Sequence, residues 1–258
     1  LNLLASFAAM SQTVGARLDY VQGGGGNTSV KLGDGLMAIK ASGFRLNQVT
    51  ENDCFAVVET GTLKDVTAAC GYKPLRPSVE ASFHALLGTF VIHTHPVYAN
   101  LAMCSASGTD RLPAAMDGLP YIVAPYINPG VELSMAIKER LRPDTRVVFL
   151  VNHGLVVTAD DAQGAMALHD EVNERLASAY GVSRADFDCF AREAAKMLYP
   201  DQQVYLDLTQ AQREIMAAVM FIHFTLMKNG GTAQAMGAEA LSYISGWEGE
   251  AYRKSILR

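Results

Sequence analysis

The sequence predicts a mixed α/β fold: a mainly antiparallel sheet with helices packed on it, followed by a helical C-terminal extension. Three observations carry this expectation. The early strand patterns are joined by tight turns such as Gly33-Asp34-Gly35, not by helical crossovers. Further apolar strand runs then alternate with helical patterns up to about residue 180. Beyond about residue 183 the pattern reads as helix throughout. The expected division is therefore a domain over 1–182 and a helical extension over 183–258 packed on it.

The elements follow in order. Residues 1–18 read as a helix, with Leu3, Leu4, Phe7 and Met10 at helical spacing. The glycine run Gly23–Gly26 turns into a strand through Lys31, and Gly33-Asp34-Gly35 returns the chain into Leu36–Lys40. Ser42-Gly43 is another tight turn, and Cys54–Glu59 a further strand. Pro77-Ser78 opens a helix, with Ser78 as its cap and Gly88 as its end. The strand Val91-Ile92-His93-Thr94-His95 follows, then a helix from Pro96 to Cys104. Tyr121–Ala124 is a short strand, and Gly130–Leu141 a helix ended before Arg142-Pro143. Val147–Val151 is a strand, with Leu155–Thr158 continuing it or pairing beside it. Asp160 or Asp161 caps a long helix that runs to about Tyr180 and stops at Gly181. In the extension, helices are expected over Thr209–Lys228 and Ala233–Ile244, before an ending that carries Trp247, Glu250, Tyr252 and Arg253.

Composition excludes several function classes. The 258-residue chain is half hydrophobic, enough for a sizeable core, and its net charge is −5. No basic tract of the density that nucleic acid requires is present. The most apolar stretch, Ile215 to Met227, is bounded by Gln212, Arg213 and Lys228 and falls short of the ~20 residues of a membrane helix. No signal-peptide pattern is read at the start, which is Leu1 and not Met. Cys54, Cys70, Cys104 and Cys189 are scattered without a CxxC, as expected of reduced thiols in a cytoplasmic protein.

The chemistry concentrates at the histidines. His93 and His95 leave the same face of a strand, because alternate side chains share a face. His153 ends another apolar run, in Asn152-His153-Gly154. Single strand histidines are usually hydrogen-bonded core residues. Two at this spacing each need a buried partner, and three imidazoles form an open zinc-type site with a position left for water or substrate. Glu80 reads either as a helix-terminal glutamate favoured by the macrodipole or as an acid/base beside the metal. His84, four residues on, is expected to pack or to support the site. His169 and His223 are expected to be structural. The glycine run with Asn27 is a candidate anion nest, and Ser42-Gly43 could be a second. Neither fits a dinucleotide fingerprint or a P-loop, since a strand follows and no Gly-Lys-Ser/Thr is present.

Together, Gly26-Asn27-Thr28-Ser29, Ser42-Gly43, Pro77-Ser78-x-Glu80-x-x-x-His84, His93-Thr94-His95-Pro96 and Asn152-His153-Gly154 resemble the class II aldolase/adducin family in order and spacing, over about residues 10–180. The fuller strings Gln22–Lys31 and Arg76–Glu80 are most similar to the rhamnulose-/fuculose-phosphate aldolase branch, in particular the aldolase portion of aldolase–dehydrogenase fusions. The resemblance implies a three-layer α/β/α fold and a divalent metal, usually zinc, on His93, His95 and His153. It implies Glu80 as the acid/base, and Gly26, Asn27, Ser42, Gly43 and Ser78 as substrate- or phosphate-binding positions. It also implies a homotetramer. The expected function is a metal-dependent aldolase that cleaves a ketose or ketose phosphate through a metal-stabilised enediolate. The same metal site would also serve an epimerase, decarboxylase or dehydratase, and the adducin-like alternative is a non-catalytic binding module. Two departures stand out. Val79 replaces the second serine that family aldolases often carry before the glutamate, which removes a hydroxyl from the phosphate position; Arg45 or Arg76 could compensate. The tyrosine used as a proton donor in fuculose-phosphate aldolase has no match within Ser107–Pro120.

Overall fold

A seven-stranded sheet lies between two layers of helices in the computed structural model, which describes residues 2–246. In chain order the elements are α1 (Leu3–Gly15), β1 (Asn27–Gly33), β2 (Leu36–Lys40), β3 (Phe55–Glu59), α2 (Ala81–Leu86), β4 (Phe90–Thr94) and α3 (Val97–Met103). Then come α4 (Leu112–Ala115), β5 (Tyr121–Ala124), α5 (Val131–Arg140), β6 (Val147–Leu150), β7 (Gly154–Ala159) and α6 (Ala162–Ala179). The extension consists of α7 (Arg184–Ala194), α8 (Pro200–Tyr205), α9 (Gln210–Lys228) and α10 (Ala238–Gly246). The strand order is β3-β2-β1-β4-β7-β6-β5. Every neighbouring pair is antiparallel except β5 with β6, so the sheet is mainly antiparallel, as the hairpin turns imply.

Side-chain alternation divides the core in two. Phe90 and Ile92 of β4 join Leu155 and Val157 of β7 beneath α1, α3, α6, α7 and α9. Val91 of β4 and Val156 of β7 join Phe83 of α2 and Leu133 and Ile137 of α5 on the opposite face. Full burial of side chains such as Phe83 or Ile92 contributes roughly 1.5–3 kcal/mol each. Because β1 and β4 pair with Asn27 opposite His93, these two residues share the α2 face.

Local signals place the ends. The Asp161 carboxylate accepts from Gly164 N–H and starts α6; Thr209 and Gln212 form a capping box that starts α9. Leu155–Thr158, for which two readings were open, pairs beside β6 in an antiparallel hairpin. Two expected helices are shorter than their sequence signals. The Ser78 helix begins only at Ala81, because Pro77 is bridged to Ala41 and the Ser78 hydroxyl accepts from Glu80 N–H and Asn27. It ends at Leu86, ahead of Gly88. The Ala233–Ile244 helix begins only at Ala238, because Ala233 forms a bridge with Ser105 and Gln234 N–H donates to Cys104 O at 2.7 Å. Helices α7 and α8 fall within the expected helical region, although the sequence bounds neither individually. Trp247, Glu250, Tyr252 and Arg253 lie outside the described residues. The four cysteines are free thiols. Among the described residues, no helix is long and apolar enough to cross a membrane.

Candidate metal centre

Three imidazoles converge at the end of β4 and at the β6–β7 turn. The ligand atoms of His93, His95 and His153 all lie within 4.8 Å of one another. His93 is the last but one residue of β4 and is fully buried, and His95 follows the strand directly. His153 sits in the turn between β6 and β7, where Asn152 takes a left-handed conformation at φ +52. Asparagine tolerates that region better than most residues, so the Asn-His-Gly string suits a turn that aims a histidine.

Two close approaches hold the glycine run against these histidines. A Cβ at Gly26, where φ is +63, would come within 2.6 Å of the His93 carbonyl oxygen. A Cβ at Gly25 would lie 2.9 Å from His95 Nδ1. Only glycine lets the loop lie this close to β4 and His95.

Glu80 completes the cluster. It occupies the N-cap position of α2, but its side chain makes no cap hydrogen bond. The carboxylate turns inward, with Oε2 at 3.5 Å from His93 Nε2 and Oε1 at 3.3 Å from His153 Nε2. Asn27 Nδ2 donates to Glu80 Oε2 at 2.6 Å and to Ser78 Oγ at 3.1 Å. The Asn27 carbonyl oxygen accepts from His84 Nε2, and the other His84 nitrogen bonds Ser29 Oγ at 2.7 Å. The amide orientation is thus fixed from behind, and His84 acts by orienting Asn27 toward Glu80. Burial would raise the Glu80 carboxyl, but the facing imidazoles of His93 and His153 and the Asn27 amide together hold it well below the usual carboxylate range. Burial, together with the nearby His93, depresses the His84 imidazole to about 3, so it is neutral.

The donor set fits a divalent ion. His93 Nδ1 donates to the Leu155 carbonyl at 3.0 Å, so Nε2, the nitrogen turned toward Glu80, is the one that an unprotonated ring would offer to an ion. A divalent ion between that nitrogen and the Glu80 carboxylate would take the place of the proton that otherwise joins them. Zinc bonds imidazole nitrogen at ~2.0–2.1 Å, so a shared ion needs donors about 4 Å apart or less, somewhat closer than the 4.8 Å that bounds them here.

The remaining expected positions serve different ends. Ser42 N–H donates to Arg76 O and its hydroxyl to Pro77 O, which ties the Ser42-Gly43 turn to the segment that carries Ser78 and Glu80. Gly26, Asn27 and Ser78 lie beside the histidine cluster through the contacts above. The glycine run is less open than an anion nest. Gly25 N–H closes its own turn on Gln22 O, and Gly23 N–H donates to Glu214 of α9 at 2.7 Å. Arg45, a candidate to replace the missing serine, is instead paired with the same Glu214 at 2.9 Å. Lys40 has no part in the sequence expectations. It is buried, and its ammonium donates to Phe44 O at 2.6 Å and to Gly24 O and Ala41 O at 3.4 Å, which joins the glycine run to the Ser42 turn. A lysine in an otherwise apolar strand is the one signal that pointed to it. His169 is buried on the other face and bonds Thr94 Oγ1 at 2.7 Å; His223 is exposed.

Comparison with known proteins bears on the family and the fold. Residues 5–180 match the family described as class II aldolase and adducin N-terminal domain. The chain is 29% identical over 172 residues to a 3-oxo-tetronate 4-phosphate decarboxylase of Haemophilus influenzae, a match covering 60% of this chain and 76% of that protein. It is 27% identical over 179 residues to the uncharacterized oxidoreductase YuxG of Bacillus subtilis, covering 59% of this chain but only 26% of that protein. The N-terminal class II aldolase domain of a conserved protein from Thermoplasma acidophilum has the same fold. Its TM-score is 0.57 at 23% identity, with 67% of this chain and 91% of that chain covered.

Proposed function

This chain belongs to the class II aldolase and adducin family, and on that premise we propose that it is a metal-dependent aldehyde-lyase. Its substrate is a ketose or ketose phosphate, as in the rhamnulose- and fuculose-phosphate aldolase branch. The observation that carries the reading is the convergence of three imidazoles and one ionised carboxylate on a single point. His93, His95 and His153 would hold the ion, most simply zinc, which imidazole nitrogen suits. When bound, such an ion polarises a carbonyl and takes up the negative charge that develops on its oxygen.

The chain's own residues supply the rest. Glu80 is ionised at neutral pH, so it is ready to take a proton from the carbon beside the carbonyl in the synthetic direction. Cleavage is the reverse: the hydroxyl on the departing carbon loses its proton to solvent, the carbon–carbon bond breaks to leave the aldehyde, and the carbon beside the carbonyl takes a proton that Glu80 relays from solvent. Asn27 holds the carboxylate in position, and His84 and Ser29 hold Asn27. Gly26, Asn27, Ser42, Gly43 and Ser78 form the side that would receive the anionic or hydroxylated end of the substrate. Tetramerisation and a cytoplasmic setting belong to the same reading.

The named activity of the Haemophilus relative supports one alternative, decarboxylation of a sugar-derived oxo acid at the same site. An adducin-like binding role is disfavoured, since all four groups of the cluster are in place. The experiment is a screen of ketoses, ketose phosphates and 3-oxo sugar acids with metal-loaded enzyme, following aldehyde release and carbon dioxide release in parallel. Aldehyde from a ketose, lost in Glu80→Gln, is expected. Carbon dioxide without aldehyde would replace the lyase with the decarboxylase.

A further inference from the structure

The glycine run has two ends with different occupants. At the inner end, Gly25 and Gly26 lie on His95 and His93. At the outer end, an anion is already present, and it comes from the extension. Glu214 of α9 accepts from Gly23 N–H at 2.7 Å. Its two oxygens accept from Arg45 Nη1 at 3.0 and 2.9 Å, and Oε1 also accepts from Gln210 Nε2 at 2.9 Å. The Glu214 side chain is only 11% exposed, and it reaches Gly23 across 191 residues of sequence. A backbone N–H and a forked guanidinium are the donors that a phosphate or carboxylate would use. Here the backbone N–H and one nitrogen of the guanidinium, Nη1, are engaged by the protein's own carboxylate.

We propose that Glu214 is a specificity determinant of the candidate site: by keeping its carboxylate on Gly23 N–H and Arg45, it bars an anionic substrate group from the outer end of the glycine run. An incoming phosphate there would meet a like charge, a Gly23 N–H that already has an acceptor and a guanidinium whose charge is offset, a repulsive element that discriminates against the wrong ligand. The anionic end of a substrate is thereby directed to the Ser42, Gly43 and Ser78 side. The inference rests on the proposed function insofar as the glycine run faces the substrate.

Inorganic phosphate is the probe. Its binding to Glu214→Ala, Glu214→Gln, Arg45→Ala, Glu214→Ala/Arg45→Ala and wild type is followed by calorimetry and by the phosphate-dependent rise in Tm. The expected result is at least tenfold tighter phosphate binding by Glu214→Ala than by wild type, with the gain abolished when Arg45 is also removed. Glu214→Gln keeps an acceptor for Gly23 N–H but no longer neutralises Arg45, so a smaller gain that depends on Arg45 is expected. If Glu214→Ala does not fold, Glu214→Gln with and without Arg45 makes the same comparison. Phosphate affinity equal to wild type in the folded variants, or a gain that survives loss of Arg45, overturns the proposal. Metal content, measured on the same samples, separates the two readings. A wild type that takes up no metal would sink the proposed lyase, while the phosphate series still decides the role of Glu214.

Discussion

The two faces of β4 carry buried histidines under opposite conditions. On the α2 face, His93 turns a ring nitrogen toward Glu80, and His95 and His153 converge beside it. On the other face, His169 of α6 bonds the Thr94 hydroxyl and packs edge-on against the Tyr20 ring at 4.5 Å between centroids. The second arrangement is complete with neutral partners. The first sets imidazoles against a carboxylate, an arrangement that a divalent ion would fit. Residue type and burial are alike, so the difference lies in what each ring faces. One face therefore reads as a metal centre and the other as core.

Substitutions on the two faces sharpen that contrast. The largest effect is expected for His93→Ala and His153→Ala, which should lose metal and activity together, measured by metal analysis and turnover. Glu80→Gln should lower kcat by roughly 10²–10⁴, the usual contribution of a positioned acid/base, and keep its metal. Full turnover by that variant would remove Glu80 from the mechanism. Asn27→Ala should cost roughly 10–100-fold in activity or metal affinity, as expected for a residue that orients a group at the ion. An unchanged rate would show that the Ser29–His84–Asn27 chain only packs.

On the core face the expected effect falls on stability, not on metal content or rate. Burial depresses His169 to about 3, below the ordinary value of 6.5. The unfolded chain therefore binds a proton below pH ~6.5 that the folded protein refuses until about pH 3. Stability should fall as pH drops through that window, by ~1.4 kcal/mol per pH unit for one such group. His169→Gln should flatten the decline in denaturant titrations at pH 4–6 and leave metal content at neutral pH unchanged. A decline as steep as in wild type would mean that other groups, such as His84, dominate it.

The contrast between faces was only partly legible in the sequence. Alternation placed His93 and His95 together, and caps and turns located most elements, because those signals are local. Fold class followed from the hairpins for the same reason. The roles of Asn27 and Ser78 depend on register and tertiary hydrogen bonds. Pairing of Asn27 with His93 across β1 and β4 is what brings its amide to Glu80. The same contacts delayed the helix start from Ser78 to Ala81 and put Glu80 at the N-cap position. Glu214 was invisible, as nothing near it in sequence announces a contact with Gly23 and Arg45. Ala233 misled for a similar reason: a helix-compatible stretch is held extended by its bridge to Ser105.

The most direct test of the central claim is metal analysis of wild type and His93→Ala, both purified without chelator and then offered zinc. About one divalent ion per wild-type chain, absent from the variant, is the predicted result. No ion in either protein, or equal occupancy in both, would contradict a metal centre built on His93.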